Sequence, residues 1–183
     1  MARLPYLDRK DLAPEDQKLL DRNINLFRIL THSPNGTRAF HALGGYIRNG
    51  SKLDGRLREL AILQVGYLAR SPYEWSHHVK IGKDFGVSDA DIHALVAETE
   101  GKGSTLEPIA RTVLACAREM TDQGAASAAT FAALEKGLNK ADLTDLIITI
   151  AFYNAVVRFL ATMQIDVEPD YQTYLDQHPL PKA

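Results

Sequence analysis

The dipeptide Ser71-Pro72 constrains this chain more than any other feature. A serine before a helix accepts from its free N–H groups, and proline at the first helical position forfeits only a donor that has no partner there. Helical patterns lie on both sides of it. Upstream, Leu57, Leu60, Ala61, Leu63, Val65 and Leu68 recur at near-helical spacing after Asp54, a residue suited to an N-cap. Downstream, the pattern runs over residues 72–85 and stops at Gly86. With so short a connection at Arg70-Ser71, the two helices return antiparallel and lie side by side.

The remaining chain repeats this grammar. A first helix is predicted over 15–30, from Leu19, Leu20, Ile24, Phe27 and Leu30. The run His32-Ser33-Pro34-Asn35-Gly36 breaks it, and a second helix over 37–48 ends at Asn49-Gly50. Ser88 starts a short helix over 89–97, a helix over 106–122 follows a glycine-bearing loop, and Ser127 caps an alanine-rich one to about Gly137. The longest helix, 140–163, is apolar on most sides and is expected to be buried centrally. Residues 166–183 read as a proline-bearing tail. No segment alternates with period two. The expectation is an all-α, single-domain helical bundle over 1–183 with about seven or eight helices, a core motif at about 53–92 and a C-terminal tail.

Composition narrows the partners. Hydrophobic residues make up 45% of the 183, enough for a core without staples. The formal net charge of −2 offers no global basic field for nucleic acid or anionic lipid. Residues 1–10 lack the apolar core of a secretory signal, and the apolar stretch 143–150 is too short to span a bilayer. The single cysteine, Cys116, excludes an internal disulfide. These features set the expectation of a cytoplasmic protein that engages neither nucleic acid nor membrane.

Chemistry concentrates at the helical hairpin. Glu74 and His78 are four apart and share a helix face. Glu59 lies among Leu57, Leu60, Ile62 and Leu63, where a carboxylate is either solvated at the helix edge or drawn inward. It precedes Ser71 by about three turns, and His78 follows Ser71 by about two, so the antiparallel return sets them at comparable depth. Two carboxylates beside an imidazole favour its charged form and make it a proton donor, unless burial prevails. Alternatives stay open at this level. Glu74 and His78 also fit an exposed ion pair, and Glu59 also fits a partner for Arg56 or Arg58. His77 diverges from His78 by about 100° on a helix and is expected to point away. Glu74-x-x-His77 matches one unit of a di-iron bundle, but no second unit occurs, so no metal is expected. Nucleophile-elbow, phosphate-loop and dinucleotide motifs are also missing from the sequence.

The stretch Leu53-Asp54-Gly55-Arg56-Leu57-Arg58-Glu59-Leu60-Ala61-Ile62-Leu63, followed by Ser71-Pro72-Tyr73-Glu74-Trp75-Ser76-His77-His78 and Phe85-Gly86-Val87-Ser88, resembles the core of the carboxymuconolactone decarboxylase and alkylhydroperoxidase D superfamily. The peroxidase branch carries a glutamate, then Cys-x-x-Cys, then a histidine four residues on. Glu59 and His78 match its glutamate and histidine, while Ser71 and Glu74 stand where its cysteines would be. Peroxide reduction there needs a thiolate and a resolving thiol, so the departure argues against that activity. The decarboxylase branch lacks the cysteine pair and needs no cofactor. That resemblance implies a cofactor-free acid/base enzyme, of decarboxylase or lyase type, on a small carboxylated or lactone substrate. Glu59, Glu74 and His78 are the implied catalytic residues, with Ser71, His77, Tyr153 and Arg158 as substrate contacts and Arg158 holding a carboxylate. A non-catalytic ligand-binding protein and an alkylhydroperoxidase-type antioxidant enzyme are the competing readings. The resemblance further implies a homotrimer or homohexamer, with the tail packed over a neighbour.

Overall fold

Helix caps set most element boundaries in this protein, which we describe from a computed structural model covering residues 1–181. Nine α-helices and no strand occur among the described residues. They are α1 (Asn25–Leu30), α2 (Pro34–Gly45), α3 (Gly55–Leu68), α4 (Pro72–Asp84), α5 (Asp89–Thr99), α6 (Pro108–Asp122), α7 (Ala128–Gly137), α8 (Lys140–Met163) and α9 (Pro169–Gln177). Asp54, Ser71, Ser88, Ser127 and Asn139 each accept a backbone N–H from the first turn that follows. Each such cap contributes about 1 kcal/mol. Between α3 and α4 the chain reverses through Arg70 at φ 48°, with Ser71 N–H donating to Gly66 O at 3.0 Å and Arg70 N–H to Tyr67 O at 3.0 Å. These two bonds satisfy the last free carbonyls of α3 and fix the antiparallel return.

Four expectations are corrected. The helix predicted over 15–30 is two pieces, a 3₁₀ segment Pro14–Leu20 and the short α1. The break lies at 21–24, and α1 starts where tertiary acceptors meet its free donors: Asn25 N–H donates to Glu168 Oε1 at 2.6 Å and Leu26 N–H to Tyr73 Oη at 3.1 Å. The second helix begins earlier, at Pro34, and closes in a π turn, Tyr46–Gly50. The central helix is α3 and not α8. Every residue of α3 from Leu57 to Tyr67 is buried, and it packs against α4, α6 and α8. Helix α8 buries one side (Leu143, Leu146, Ile150, Tyr153, Val157), while Ala151, Ala155 and Ala161 face outward. Small apolar letters on its outer face made it look buried all round. Its apolar character extends well beyond 143–150, so that by length and composition it could cross a membrane. Finally, the tail forms α9 and packs on α4 of its own chain.

Candidate functional site

Helices α3 and α4 approach closely because two glycines face the partner helix. A Cβ on Gly66 would meet Trp75 N at 3.4 Å and the Glu74 side chain at 3.5 Å. One on Gly82 would meet Val87 at 3.3 Å and Glu59 Cβ at 3.6 Å. This approach places Glu59 against His78. His78 Nδ1–H donates to Glu59 Oε2 at 2.6 Å. Arg58 Nε and Nη2 donate to Glu59 Oε1 at 3.1 and 3.0 Å. The Arg58 guanidinium in turn lies over the Phe85 ring, 4.2 Å from its centroid. On the other side of the imidazole, Glu74 Oε1 lies 3.0 Å from His78 Nε2, without the alignment of a hydrogen bond. Glu59, Glu74 and His78 thus form one buried cluster, with side chains at most 6% exposed.

Burial alone would strip the charge from His78. The Glu59 and Glu74 carboxylates outweigh it and push the imidazole up to about 9. Burial likewise raises the Glu59 carboxyl, but the His78 imidazolium and the Arg58 guanidinium overcome that and hold it below the ordinary carboxylate value. Both shifts point to one state, imidazolium with carboxylate.

His78 and Glu74 open onto a cavity of about 260 Å³ between α2, α4 and α8. Its walls are mainly apolar and aromatic, with Phe27, Phe40, Phe152, Tyr153 and Val156 among them. Two arginines, Arg22 and Arg48, also line it, as does His41. The His41 Nε2 atom is buried without a hydrogen-bond partner, and burial lowers the basicity of its ring. Burial and the nearby Glu74 and Glu59 charges raise the Tyr153 phenol above its ordinary value, keeping it protonated.

His77, which diverges from His78 along α4, also lines the cavity wall. Its ring is stacked between Tyr73, at 4.2 Å, and Tyr171 of α9, at 3.5 Å. Its Nε2 meets Glu168 Oε2 at 2.7 Å, and Tyr73 Oη–H donates to Glu168 Oε1 at 2.9 Å. Burial lowers the His77 pKa more than Glu168 raises it, and a neutral ring with its proton on Nε2 still satisfies Glu168. Glu168 is raised by burial but held below its ordinary value by His77 and the Asn25 N–H.

Two expected substrate contacts lie elsewhere. Ser71 does not line the cavity; its hydroxyl caps α4 by accepting from Glu74 N–H at 3.4 Å. Arg158 sits on the outer face of α8 and donates to Asn154 O and Oδ1 of its own helix at 2.6 and 2.8 Å. The guanidinium groups at the cavity are those of Arg22 and Arg48, the latter beside the Tyr153 hydroxyl. Arg48 and His41 were missed because α2 and the π turn that closes it carry no motif. Their spacing was the available signal: residues 41, 44, 45 and 48 fall on one helix face, polar at both ends and glycine between. Cys116 is buried on α6, outside the cavity lining, with its thiol pushed up to about 11 by burial and by Glu119. Among the described residues no group of three or more His, Cys, Asp or Glu is placed to hold a metal ion.

The carboxymuconolactone decarboxylase family matches the chain over residues 34–119, which includes α2 to α5, both helices of the hairpin and most of α6. No curated protein matches the sequence. Among solved structures, the fold is similar to an alkylhydroperoxidase AhpD core, an uncharacterized peroxidase-related protein from Ralstonia eutropha, at TM-score 0.78 and 21% identity over 95% of each chain. It is similar to the debrominase Bmp8 in complex with 2,3,4-tribromopyrrole, at TM-score 0.79 and 19% identity over 97% of this chain and 99% of that one. An uncharacterized peroxidase-related protein from Silicibacter sp. matches at TM-score 0.73 and 20% identity over 92% of each chain. At these identities the likeness carries the fold alone. Residues 34–119 are thus similar to the carboxymuconolactone decarboxylase family, on a fold like that of alkylhydroperoxidase AhpD-like proteins, and the single cysteine leaves no Cys-x-x-Cys pair.

Proposed function

We propose that this protein is a cofactor-free acid/base enzyme of the lyase type that acts on a small carboxylated or lactone substrate. The observation that carries this reading is the charged His78, anchored through Nδ1 by Glu59 and opening onto an apolar cavity that also holds an arginine. Anchoring one ring nitrogen fixes the orientation of the other, so Nε2 is the proton-delivering atom. In a decarboxylation, Arg48 orients the reacting acid. The bond to the carboxylate carbon breaks, CO2 leaves, and the electron pair moves into the conjugated lactone carbonyl. His78 Nε2 then delivers its proton to carbon and is recharged from water. Glu59 holds the imidazolium throughout and transfers nothing itself. On the same fold, a debrominase in complex with a small ring compound supports small-ring chemistry only by analogy.

The test is CO2 release from carboxymuconolactone by the wild-type protein, His78→Gln and Glu59→Gln. The expected result is turnover by the wild type and a loss of about 10²-fold or more in His78→Gln. A folded His78→Gln that keeps the wild-type rate overturns the acid/base role. Binding without turnover by the wild type would make the cavity a ligand-binding site. A homotrimer or homohexamer in the cytoplasm fits this reading, supported by the outward alanines of α8 and by exposed Leu43, Tyr46 and Phe131. A monomer by light scattering at micromolar concentration would count against that assembly.

A further inference from the structure

The cavity leaves specific polar atoms unmatched, and together they describe the missing ligand. Glu74 is 3% exposed and lines the cavity, and the one partner of its Oε1 is the charged His78 Nε2 at 3.0 Å, a contact without good hydrogen-bond alignment. A carboxylate can accept several hydrogen bonds, so Glu74 keeps acceptor capacity that a donor on a bound molecule would use. His41 Nε2 on α2 is buried and unmatched in the same cavity. Arg22 and Arg48 line the cavity too, and neither forms an ion pair among the described residues. Within the cluster the charges of Arg58 and His78 balance those of Glu59 and Glu74, so the two free guanidinium groups leave the cavity attractive to an anion. The walls between are aromatic. Phe40 and Phe152 lie 4.8 Å apart by centroid, and Phe27 stands 4.3 Å from His41. Such walls favour a flat, unsaturated ring. The volume of about 260 Å³ falls below the ~300–1,000 Å³ of sites for drug-sized molecules, which limits the ligand to one ring with short substituents.

We propose that the cavity takes a single-ring planar acid bearing a ring hydroxyl or ring N–H. Its carboxylate would meet Arg48 and Arg22, its ring would lie among the phenylalanines, and its donor would meet Glu74 Oε1. This rests on the reading of the cavity as a substrate site, but it is a statement about recognition and is tested without turnover.

The experiment is isothermal titration of the intact protein at pH 7 with 4-hydroxybenzoate, 4-methoxybenzoate, benzoate and phenol. The wild-type series decides by itself. 4-Hydroxybenzoate should bind about 10- to 100-fold more tightly than benzoate or 4-methoxybenzoate, the range for a hydrogen bond to a charged group. Phenol, without the carboxylate, should also be weaker than 4-hydroxybenzoate. Two variants, checked for folding by circular dichroism, localise the effects. Glu74→Gln should erase the preference for the hydroxyl while retaining benzoate binding. Arg48→Met should weaken the three acids and leave phenol unchanged. Equal binding of 4-hydroxybenzoate and benzoate, or no binding of any acid at millimolar concentration, overturns the proposal. If the hydroxy acid binds as expected but His78→Gln leaves lactone turnover intact, recognition stands and the proton-transfer role falls. If the lactone is turned over and the aryl acids do not bind, only the recognition proposal falls.

Discussion

His77 and His78 are neighbours in sequence, both buried, both paired with a glutamate, and they titrate in opposite directions. His78 is held charged because two carboxylates, Glu59 and Glu74, lie within about 3 Å of its ring nitrogens. His77 has one carboxylate, Glu168, and a tyrosine ring on each face, so burial wins and its pKa falls. Burial depth does not separate the two, since both are under 5% exposed. What separates them is how many charges accompany each ring into the low-dielectric interior. One face of α4 therefore carries a proton reservoir, while its neighbour serves as a neutral clamp for the C-terminal helix.

The contrast is sharpest if the charges are removed one at a time. Glu59→Ala should have the largest effect. It leaves His78 and Arg58 buried without their shared acceptor, and losing one partner of a buried pair costs about 3–5 kcal/mol. Urea denaturation measures the loss, and the His78 resonances in an NMR titration should fall well below about 9. Glu168→Ala should cost less, about 1–3 kcal/mol, because Tyr73 Oη–H and Asn25 N–H lose a buried acceptor. Its signature is local: hydrogen exchange should rise in α9 and α1 before it rises in α3. Uniform acceleration across all helices would mean the two clusters are one unit.

The pH dependence should split the same way. The His78 contribution is complete below 6.5 and lost as pH rises through about 9, because its folded-state pKa is raised. Its partner Glu59 contributes above 4.5 and loses that as pH falls through its lowered pKa. The lowered pKa of His77 gives the opposite sign to that of His78: the unfolded chain binds the proton more readily, so stability falls as pH drops below 6.5. Base should weaken the α3–α4 pairing, and mild acid should release α9 first. The smallest effect expected is from Tyr171→Leu, which removes one stacked ring from His77 at about 0.5–1.5 kcal/mol and leaves the His78 titration unmoved. A shift in the His78 titration in that variant would show that the two imidazoles are electrically coupled through α4.

The hairpin was legible because its signals are local. Ser71-Pro72 fixes where α4 starts, helical spacing sets Glu74 and His78 on one face, and the short turn fixes the depth of Glu59. Helix α8 has the ends expected from sequence, 140 and 163, for the same reason, since Asn139 caps it and Gln164 stops it in a left-handed conformation. What was not legible depends on contacts distant in sequence. Helix α1 is bounded by Glu168, 143 positions away, which no local pattern encodes. Arg158 was misread because an arginine on an apolar helix suggests a buried partner, whereas an outward stripe of alanines looks apolar while facing solvent. The cavity wall on α2 appears only when α2, α4 and α8 are assembled around it.

The chain has a single tryptophan, and its placement gives the C-terminal segment an optical label. Trp75 is fully buried on α4, and its indole N–H donates to the carbonyl of His178, just beyond α9, at 2.7 Å. Detaching that segment would hydrate the indole and shift its emission to the red while α3 and α8 stay folded. Under mild acid, steady-state fluorescence would then change at a higher pH than the far-ultraviolet ellipticity at 222 nm. The molecule thereby carries its own spectroscopic means of following the clamp in real time, without an added dye.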